Sequence, residues 1–422
     1  EGGDECGDLG RPTVDEKGVA DVVVGERRSR HLGLYTGVPV DPAVEELPQV
    51  FDLAVSQWCD YFDVDPELAK TWRMTAYLIN DKARFDRANL IPADLPRFLN
   101  GIQRGAELWL YRQPTTYYQR HLLLHEGTHG FMQWALGGAG PPWYMEGIAE
   151  LLGTHSWHDG KLTLNPFPES KEATPHWGRI KVIKAETEAG HGKALEEIMR
   201  YDETAHLRVE PYAWCWAAAA FFDGNPAYRD AFRKMQKQAR DKTLGFSNTF
   251  HNSLSKEWVH ITRQWHVFVI NMEYGYDVER EAFDRKPTTP LPAAGAKITI
   301  AADRGWQSSG YLLEAGKAYK IEASGRYQVG NQPKIWWCEP NGITIRYHRK
   351  VPLGILLGAI VDEDTLPGTT SVLAMPDVIG MGTESLVDRS GTLYLRINDS
   401  PSELSDNAGE LTVRVTPVAA SP

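Results

Sequence analysis

His121-Leu122-Leu123-Leu124-His125-Glu126-Gly127-Thr128-His129-Gly130-Phe131-Met132 is the stretch on which the reading of this chain turns. It contains His-Glu-x-x-His, with His125 and His129 four residues apart. On a helix that spacing puts both imidazoles on one face, one turn apart, where a single zinc ion takes both. Glu126 between them can then reach a metal-bound water and act as its general base. Pro114-Thr115-Thr116 supplies a helix start, and Gly137-Gly138 with Pro141-Pro142 supplies a stop. Leucines 122 to 124, Phe131 and Met132 set the ligand face into an apolar wall. His121 extends that face by one turn. A third ligand from the same helix would close the open position, so His121 is expected to support or pack rather than to bind.

A hydrolytic zinc site wants three protein ligands and one open position. Trp143-Tyr144-Met145-Glu146-Gly147-Ile148-Ala149-Glu150 follows the Pro-Pro break and reads as a second helix. Glu146 is the expected third ligand. Glu150 lies one turn further on the same face, placed to accept the other ring N–H of a ligand histidine. An alternative, a solvated acidic helix face, fits poorly with Trp143, Ile148, Leu151 and Leu152 around these carboxylates.

His125-Glu126-x-x-His129 followed by Glu146-Gly-x-Ala resembles the gluzincin metallopeptidases, thermolysin and the zinc aminopeptidases among them. The resemblance implies zinc on His125, His129 and Glu146, Glu126 as base, and an acidic supporting residue at Glu150. With the strand-like Glu107–Tyr111 ahead of the helix, the wider pattern is similar to the peptidase-MA-like domains. The Asn-Ala-x-Tyr signature of thermolysin and the Gly-x-Met-Glu-Asn signature of the aminopeptidases are absent, so no cleavage specificity carries over. Such a site also needs a donor for a developing oxyanion. Tyr212, opening the run Pro211-Tyr-Ala-Trp-Cys-Trp, is the candidate, with a packing role as the alternative.

The 422 residues suffice for two or three domains, and 42% hydrophobic content with 14 tryptophans marks a globular chain. A net charge of -11 argues against nucleic acid or an anionic membrane as main partner. No apolar run reaches the length of a membrane span. Cys6, Cys59, Cys215 and Cys338 form no Cys-x-x-Cys pair, which excludes a zinc ribbon and a thioredoxin-type site. Disulfides in an exported protein, or buried thiols in a cytosolic one, both remain compatible with them; the expectation is a secreted, periplasmic or cell-surface protein. The expected fold class is α+β, a zincin-like domain with a mainly helical second lobe followed by an all-β sandwich. Residues 1–29 are expected as a loose extension, 30–285 as the zincin-like domain, 286–295 as a proline-rich linker and 296–418 as the sandwich. Within 30–285, strands near Arg30–Tyr35 and Trp72–Ile79, a helix over Pro42–Phe62 and a short helix over Lys82–Arg87 precede Glu107–Tyr111. Helices over 193–201, 211–222, 227–240 and 256–270 follow. His155 and His158 are expected on a surface turn.

In the C-terminal region short strands alternate with turns, and Asn398-Asp399-Ser-Pro-Ser-Glu403-Leu-Ser-Asp406-Asn407 clusters oxygen side chains on a loop. A calcium ion needs such a cluster, but an Asx-rich turn without an ion has the same composition. Trp306-x-x-Ser-Gly-Tyr, Ile321-x-Ala-Ser-Gly, Tyr394-Leu-x-Ile-Asn-Asp399 and Asp406-Asn407-x-Gly409 together resemble the galactophilic PA-I-type bacterial lectins. The resemblance implies calcium on Asp399, Asp406 and Asn407, with carbonyls near Glu403 and Val329, and a glycan ligand. The lectin histidine is matched only by the displaced His348. The expected function is a secreted zinc peptidase acting on proteins or glycoproteins, with an accessory calcium- and carbohydrate-binding-like domain. The alternative is a carbohydrate-binding or scaffold protein carrying an inactive peptidase fold.

Overall fold

The computed structural model describes residues 25–363, 365–366 and 371–418. Most of the expected N-terminal extension, residues 1–24 with Cys6, lies outside them. The chain is α+β, with helices concentrated before residue 285 and strands after it, and it divides into two compact units.

The first unit takes the described residues to 179 together with 196–220 and 233–250. It holds a five-stranded sheet of β1 (Gly25–Arg28), β2 (Leu32–Thr36), β3 (Met74–Ile79), β4 (Gly101–Arg104) and β5 (Glu107–Tyr111), in the order β1-β2-β3-β5-β4. The three central strands run parallel, and Leu34, Ala76, Leu78, Leu108, Trp109 and Leu110 are fully buried, as a sheet covered on both faces requires. Both edges are antiparallel additions. Gly25–Arg28 therefore belongs to the sheet and not to the extension expected to run to residue 29. Its Gly-Glu-Arg-Arg sequence has no apolar alternation to announce a strand.

Helix α1 (Leu47–Phe62) buries Val50, Phe51, Ala54, Trp58 and Phe62. The single helix expected from Pro42 is divided, because Pro48 has no N–H to continue the ladder from the short turn Pro42–Glu45. Helix α2 (Lys82–Arg87) falls where expected. Helix α3 (Thr116–Leu136) carries the histidines. The Thr115 hydroxyl accepts the Tyr118 N–H at its start, and Gly137 ends it in a left-handed conformation with φ 71°. Edge-on contact of Trp72 with Phe131 at 5.2 Å, and tilted contact of Trp58 with Phe131 at 5.6 Å, tie α3 to its surroundings. Helix α4 (Pro142–Gly153) has Pro in its first turn and packs on α3. A hairpin of β6 (His155–His158) and β7 (Lys161–Leu164) follows. Helix α5 (Val209–Gly224) contributes its part up to Ala220 to this unit.

The second unit takes 180–195, 221–232 and residues from 251 onward. Its strands are β8 (Thr289–Pro290), β9 (Ala296–Ala301), β10 (Gln307–Leu313), β11 (Ala318–Ser324), β12 (Tyr327–Val329), β13 (Trp337–Cys338), β14 (Asn341–His348), β15 (Val351–Val361), β16 (Asp377–Val378), β17 (Gly382–Leu386), β18 (Gly391–Ile397), β19 (Asn407–Ala408) and β20 (Glu410–Pro417). They form sheets in the orders β14-β15-β18-β10-β8, with β16 on β15, β17-β11-β20-β9, and β13-β12-β19. Ile298, Ile300, Tyr319, Leu356, Leu395, Leu411, Val413 and Val415 belong to its main core. A second cluster joins Val267 of helix α6 (Trp258–Asn271) to Trp306, Leu357 and Tyr394, with Phe283 against it. Arg396 meets Glu281 in a buried bidentate pair at 2.8 and 3.0 Å. These contacts fasten residues expected in the zincin-like domain to the sandwich, so the compact units do not divide at 286–295. Within that proline-rich segment, β8 pairs with β10.

Candidate metal centre

On α3, His125 Nε2 and His129 Nε2 lie 3.1 Å apart, with the rings nearly perpendicular. Glu146 Oε2 of α4 stands 3.2 Å from His125 Nε2 and 3.6 Å from His129 Nε2. Tetrahedral zinc with donors at about 2.0–2.1 Å needs donor separations of about 3.3–3.4 Å. The triangle has that size. Glu146 Oε2 is buried and accepts no hydrogen bond among the described residues, and His125, His129 and Glu146 form a group able to hold a metal ion. The donor chemistry and spacing fit zinc. In the metal-free arrangement the three groups perturb one another. Burial opposes charge on His125, but Glu146 holds its pKa above the ordinary imidazole value. Burial opposes the Glu146 carboxylate too, yet His129 and His125 hold it below the usual range.

Glu126 is buried beside them, and burial raises its carboxyl above the usual value, against the pull of both histidines. The backbone N–H of Gln103 on the edge strand β4 bonds to this carboxylate. Gly101, at the start of β4, explains the close fit. A Cβ there would stand 2.9 Å from Glu126 Oε1.

Tyr212 is in the same cluster, its ring centroid 6.0 Å from that of His125. Gly147 makes this approach possible, because a Cβ on it would meet the Cys215 carbonyl oxygen of α5 at 2.8 Å. Burial first, then the charges of Glu146, Glu126 and Glu150, raise the Tyr212 phenol above its ordinary pKa. It remains a hydroxyl donor at neutral pH.

Glu150 is 1% exposed and lies 3.5 Å from His125 Nδ1 and 3.5 Å from His121 Nε2, both long for hydrogen bonds. Its strong partner is Arg179, whose Nε and Nη2 donate to it at 2.9 and 2.8 Å. Burial works against the charged carboxyl, but Arg179 and His121 hold it well below the usual range. The Arg179 guanidinium carbon also lies 5.7 Å from the Tyr212 ring centroid. His121, His125 and Glu150 form a second cluster with metal-like spacing, but the guanidinium already neutralises Glu150 there. His121 is expected to support or pack, and the structure places it in this second cluster, 3.5 Å from Glu150.

Two contributors escape a reading of the sequence. Arg179 is a single arginine twenty-nine residues from Glu150 with no motif around it, and strand β4 has only Ile102 as an apolar signal. His155 requires a correction. It is 3% exposed and not on a surface turn, stacked on Tyr117 at 4.6 Å and reached by Arg120 Nε at 3.2 Å. His158 is exposed at the end of the same strand. Cys59, Cys215 and Cys338 are free, buried thiols.

In the second unit, Asp399 is 2% exposed; its Oδ1 accepts the Ser400 N–H at 2.7 Å and its Oδ2 the Asn407 amide at 2.9 Å. Burial, then the charges of Glu403 and Asp406, raise its pKa to about 6. Asp406 Oδ1 and Asn407 Oδ1 are buried acceptors without a donor among the described residues. Two open oxygens are the kind of donor a hard cation takes, but Asp399, Glu403 and Asp406 do not converge into a metal-holding group among the described residues, where the groups found are His121-His125-Glu150 and His125-His129-Glu146. Arg346, paired with Glu403 at 2.6 Å, supplies some positive charge at the rim.

No known family's sequence model matches the chain, and no curated protein does. Among solved structures, the EclA N-terminal domain, a PllA-like lectin, is 23% identical with a TM-score of 0.23, covering 29% of this chain and 95% of that one. The structure of IMPa from Pseudomonas aeruginosa in complex with an O-glycopeptide is 10% identical with a TM-score of 0.17. That likeness covers 94% of this chain but 43% of the other, so this chain spans less than half its length. Likenesses this slight carry no argument about function.

Among the described residues, no helix is long and apolar enough to cross a membrane.

Proposed function

We propose that this chain is a zinc-dependent peptidase. The observation that carries the reading is the convergence of His125 Nε2, His129 Nε2 and Glu146 Oε2 within 3.1 to 3.6 Å, with Glu126 buried at the same place. His125, His129 and Glu146 would hold the ion. When bound, zinc supplies Lewis acidity toward a carbonyl oxygen and toward water. Glu126 receives a proton from the attacking water and passes it to the departing amine. Tyr212, protonated and beside His125, donates to the carbonyl oxygen as negative charge gathers there. Glu150, held by Arg179, steadies the His125 ring. β4 is the last strand of its sheet, and its edge, apart from the Gln103 N–H held by Glu126, offers backbone groups on which an extended peptide can align.

The second unit is read as an accessory module taking calcium on Asp399, Asp406 and Asn407, with glycan as its partner and a secreted or surface location for the whole chain. The open oxygens of Asp406 and Asn407 support the ion; Asp399 as a ligand, the glycan and the location rest on the sequence resemblance.

Cleavage profiling on a mixed peptide and glycopeptide library tests the activity. Glu126→Gln should keep one zinc per chain and lower turnover about 10²–10⁴-fold. Normal turnover by that variant would remove Glu126 from the chemistry. A zinc-loaded wild type that cuts nothing would leave a binding protein.

A further inference from the structure

Between the end of helix α6 and the sheet β14-β15-β18 of the second unit lies a cavity of about 410 Å³ that the proposed chemistry does not use. Three features of its lining belong together. First, β14 and β15 are joined by a two-residue turn, Arg349-Lys350, with both residues in the left-handed region at φ 51° and 67°. A turn of that kind favours Asn-Gly, and branchless or short polar residues carry it at least strain. Here it presents two long cations to the cavity. Strain retained at such a place points to a use for the side chains.

Second, neither cation forms a salt bridge among the described residues. Arg349 Nη2 donates to the Ile270 carbonyl at 2.7 Å, which holds the guanidinium while leaving other N–H groups open. Arg396, also in the lining, is matched by Glu281. Glu273, whose charge reaches Arg349, is bonded by the Ser400 and Ser402 hydroxyls. Asp399 is the one carboxylate in the lining; its oxygens accept hydrogen bonds from Ser400 and Asn407 and it forms no salt bridge with either cation among the described residues, and the calcium read on it above would take up its charge.

Third, Trp306 lines the cavity and is 1% exposed, yet its indole N–H has no acceptor among the described residues. Asn271 Oδ1, in the same lining, is a buried acceptor without a donor. A buried donor and a buried acceptor left open together are matched by a ligand bearing hydroxyl groups. Leu373, Met375 and Pro376 supply an apolar wall for its carbon skeleton.

The geometry points to a binding pocket for a hydroxylated carboxylate, the chemistry of a sugar acid, with Arg349 and Lys350 on the carboxylate and Trp306 Nε1 on a hydroxyl. The pocket does not depend on the peptidase reading.

Calorimetric titration of the full chain with sodium glucuronate, at constant ionic strength, tests it against glucose and sodium sulfate. Glucuronate should bind, and glucose should bind at least about tenfold more weakly, since a charge-assisted pair is lost. The double variant Arg349→Asn with Lys350→Gly installs the turn's favoured residues. It should match or exceed the wild-type Tm while losing about tenfold or more in glucuronate affinity. Lys350→Gly alone provides a second arm if the double variant is poorly behaved, with a smaller loss. Equal binding of glucose and glucuronate, or full affinity in the turn variants, overturns the proposal. Sulfate binding as tightly as glucuronate overturns the sugar-acid assignment and leaves a general anion site.

Discussion

Replacing Arg179 with Gln tests how the metal centre is held together. The substitution removes two charge-assisted hydrogen bonds, at 2.8 and 2.9 Å, from a carboxylate that is 1% exposed. Glu150 cannot rotate into solvent, and its remaining ionisable neighbours at 3.5 Å are His121 and His125. Breaking one side of a buried pair costs about 3–5 kcal/mol, most of it the desolvation of the charge left behind. Part is recovered if Glu150 takes up a proton. In the wild type Glu150 is depressed below its ordinary value of 4.5. Its stabilising contribution is therefore present above that value and is lost as pH falls toward the depressed one. Without Arg179 the depression shrinks, so the acid limb of the stability curve moves upward in pH. A protonated Glu150 also no longer holds a negative charge 3.5 Å from the His125 ring, and loss of such support typically weakens zinc about 10–100-fold. Urea unfolding of the metal-free chain, with and without Glu150→Gln in the same molecule, measures the first quantity. Competition with a chelator measures the second. Glu150→Gln should restore most of the stability lost with Arg179→Gln, because no charge is then stranded, but should not restore zinc affinity. A loss under about 1 kcal/mol with unchanged zinc affinity would refute the reasoning.

Other perturbations separate the roles of the neighbouring groups. Tyr212→Phe should lower kcat about 10²-fold with KM and zinc content unchanged, as for one lost oxyanion donor; equal losses in zinc content would make Tyr212 a packing residue instead. Gly101→Ala drives a methyl toward Glu126 Oε1 at 2.9 Å, and a displaced base should cost up to about 10²-fold in kcat while zinc stays bound. Unaltered steady-state kinetics would disconnect β4 from Glu126. Without calcium, Asp399 destabilises the second unit when ionised, because its pKa is raised from 3.8 to about 6. Its contribution is whole below pH 3.8 and lost as pH rises through about 6, a span of about 3 kcal/mol. Asp399→Asn should flatten that limb of the unfolding curve, and calcium should raise the wild-type Tm above pH 6 but leave the variant's unchanged.

Local periodicity decides which features of this protein a linear reading reaches. The i, i+4 spacing of His125 and His129 dictates a shared helix face wherever that helix sits, and Thr115 and Gly137 set its ends through contacts within a few residues. Glu146 and Glu150 are legible for the same reason, one helical turn apart and flanked by apolar residues. The alternating strands β9, β11 and β20 likewise carry their core face in their residues. What the sequence could not contain is the partner that a buried group acquires across the fold. Arg179 has no local pattern, since its place is defined by Glu150. Strand β4 is short and weakly apolar, and exists as a strand through pairing with β5. Tyr212 comes to 6.0 Å from the His125 ring because Gly147 lets α5 approach α4. His155 reads as a turn residue until Tyr117 and Arg120 close over it. The residues alone determined where a metal could be gripped. The tertiary structure decided how that grip is charged, buried and supported, because desolvation and long-range pairing belong to the packed chain and to no segment of it.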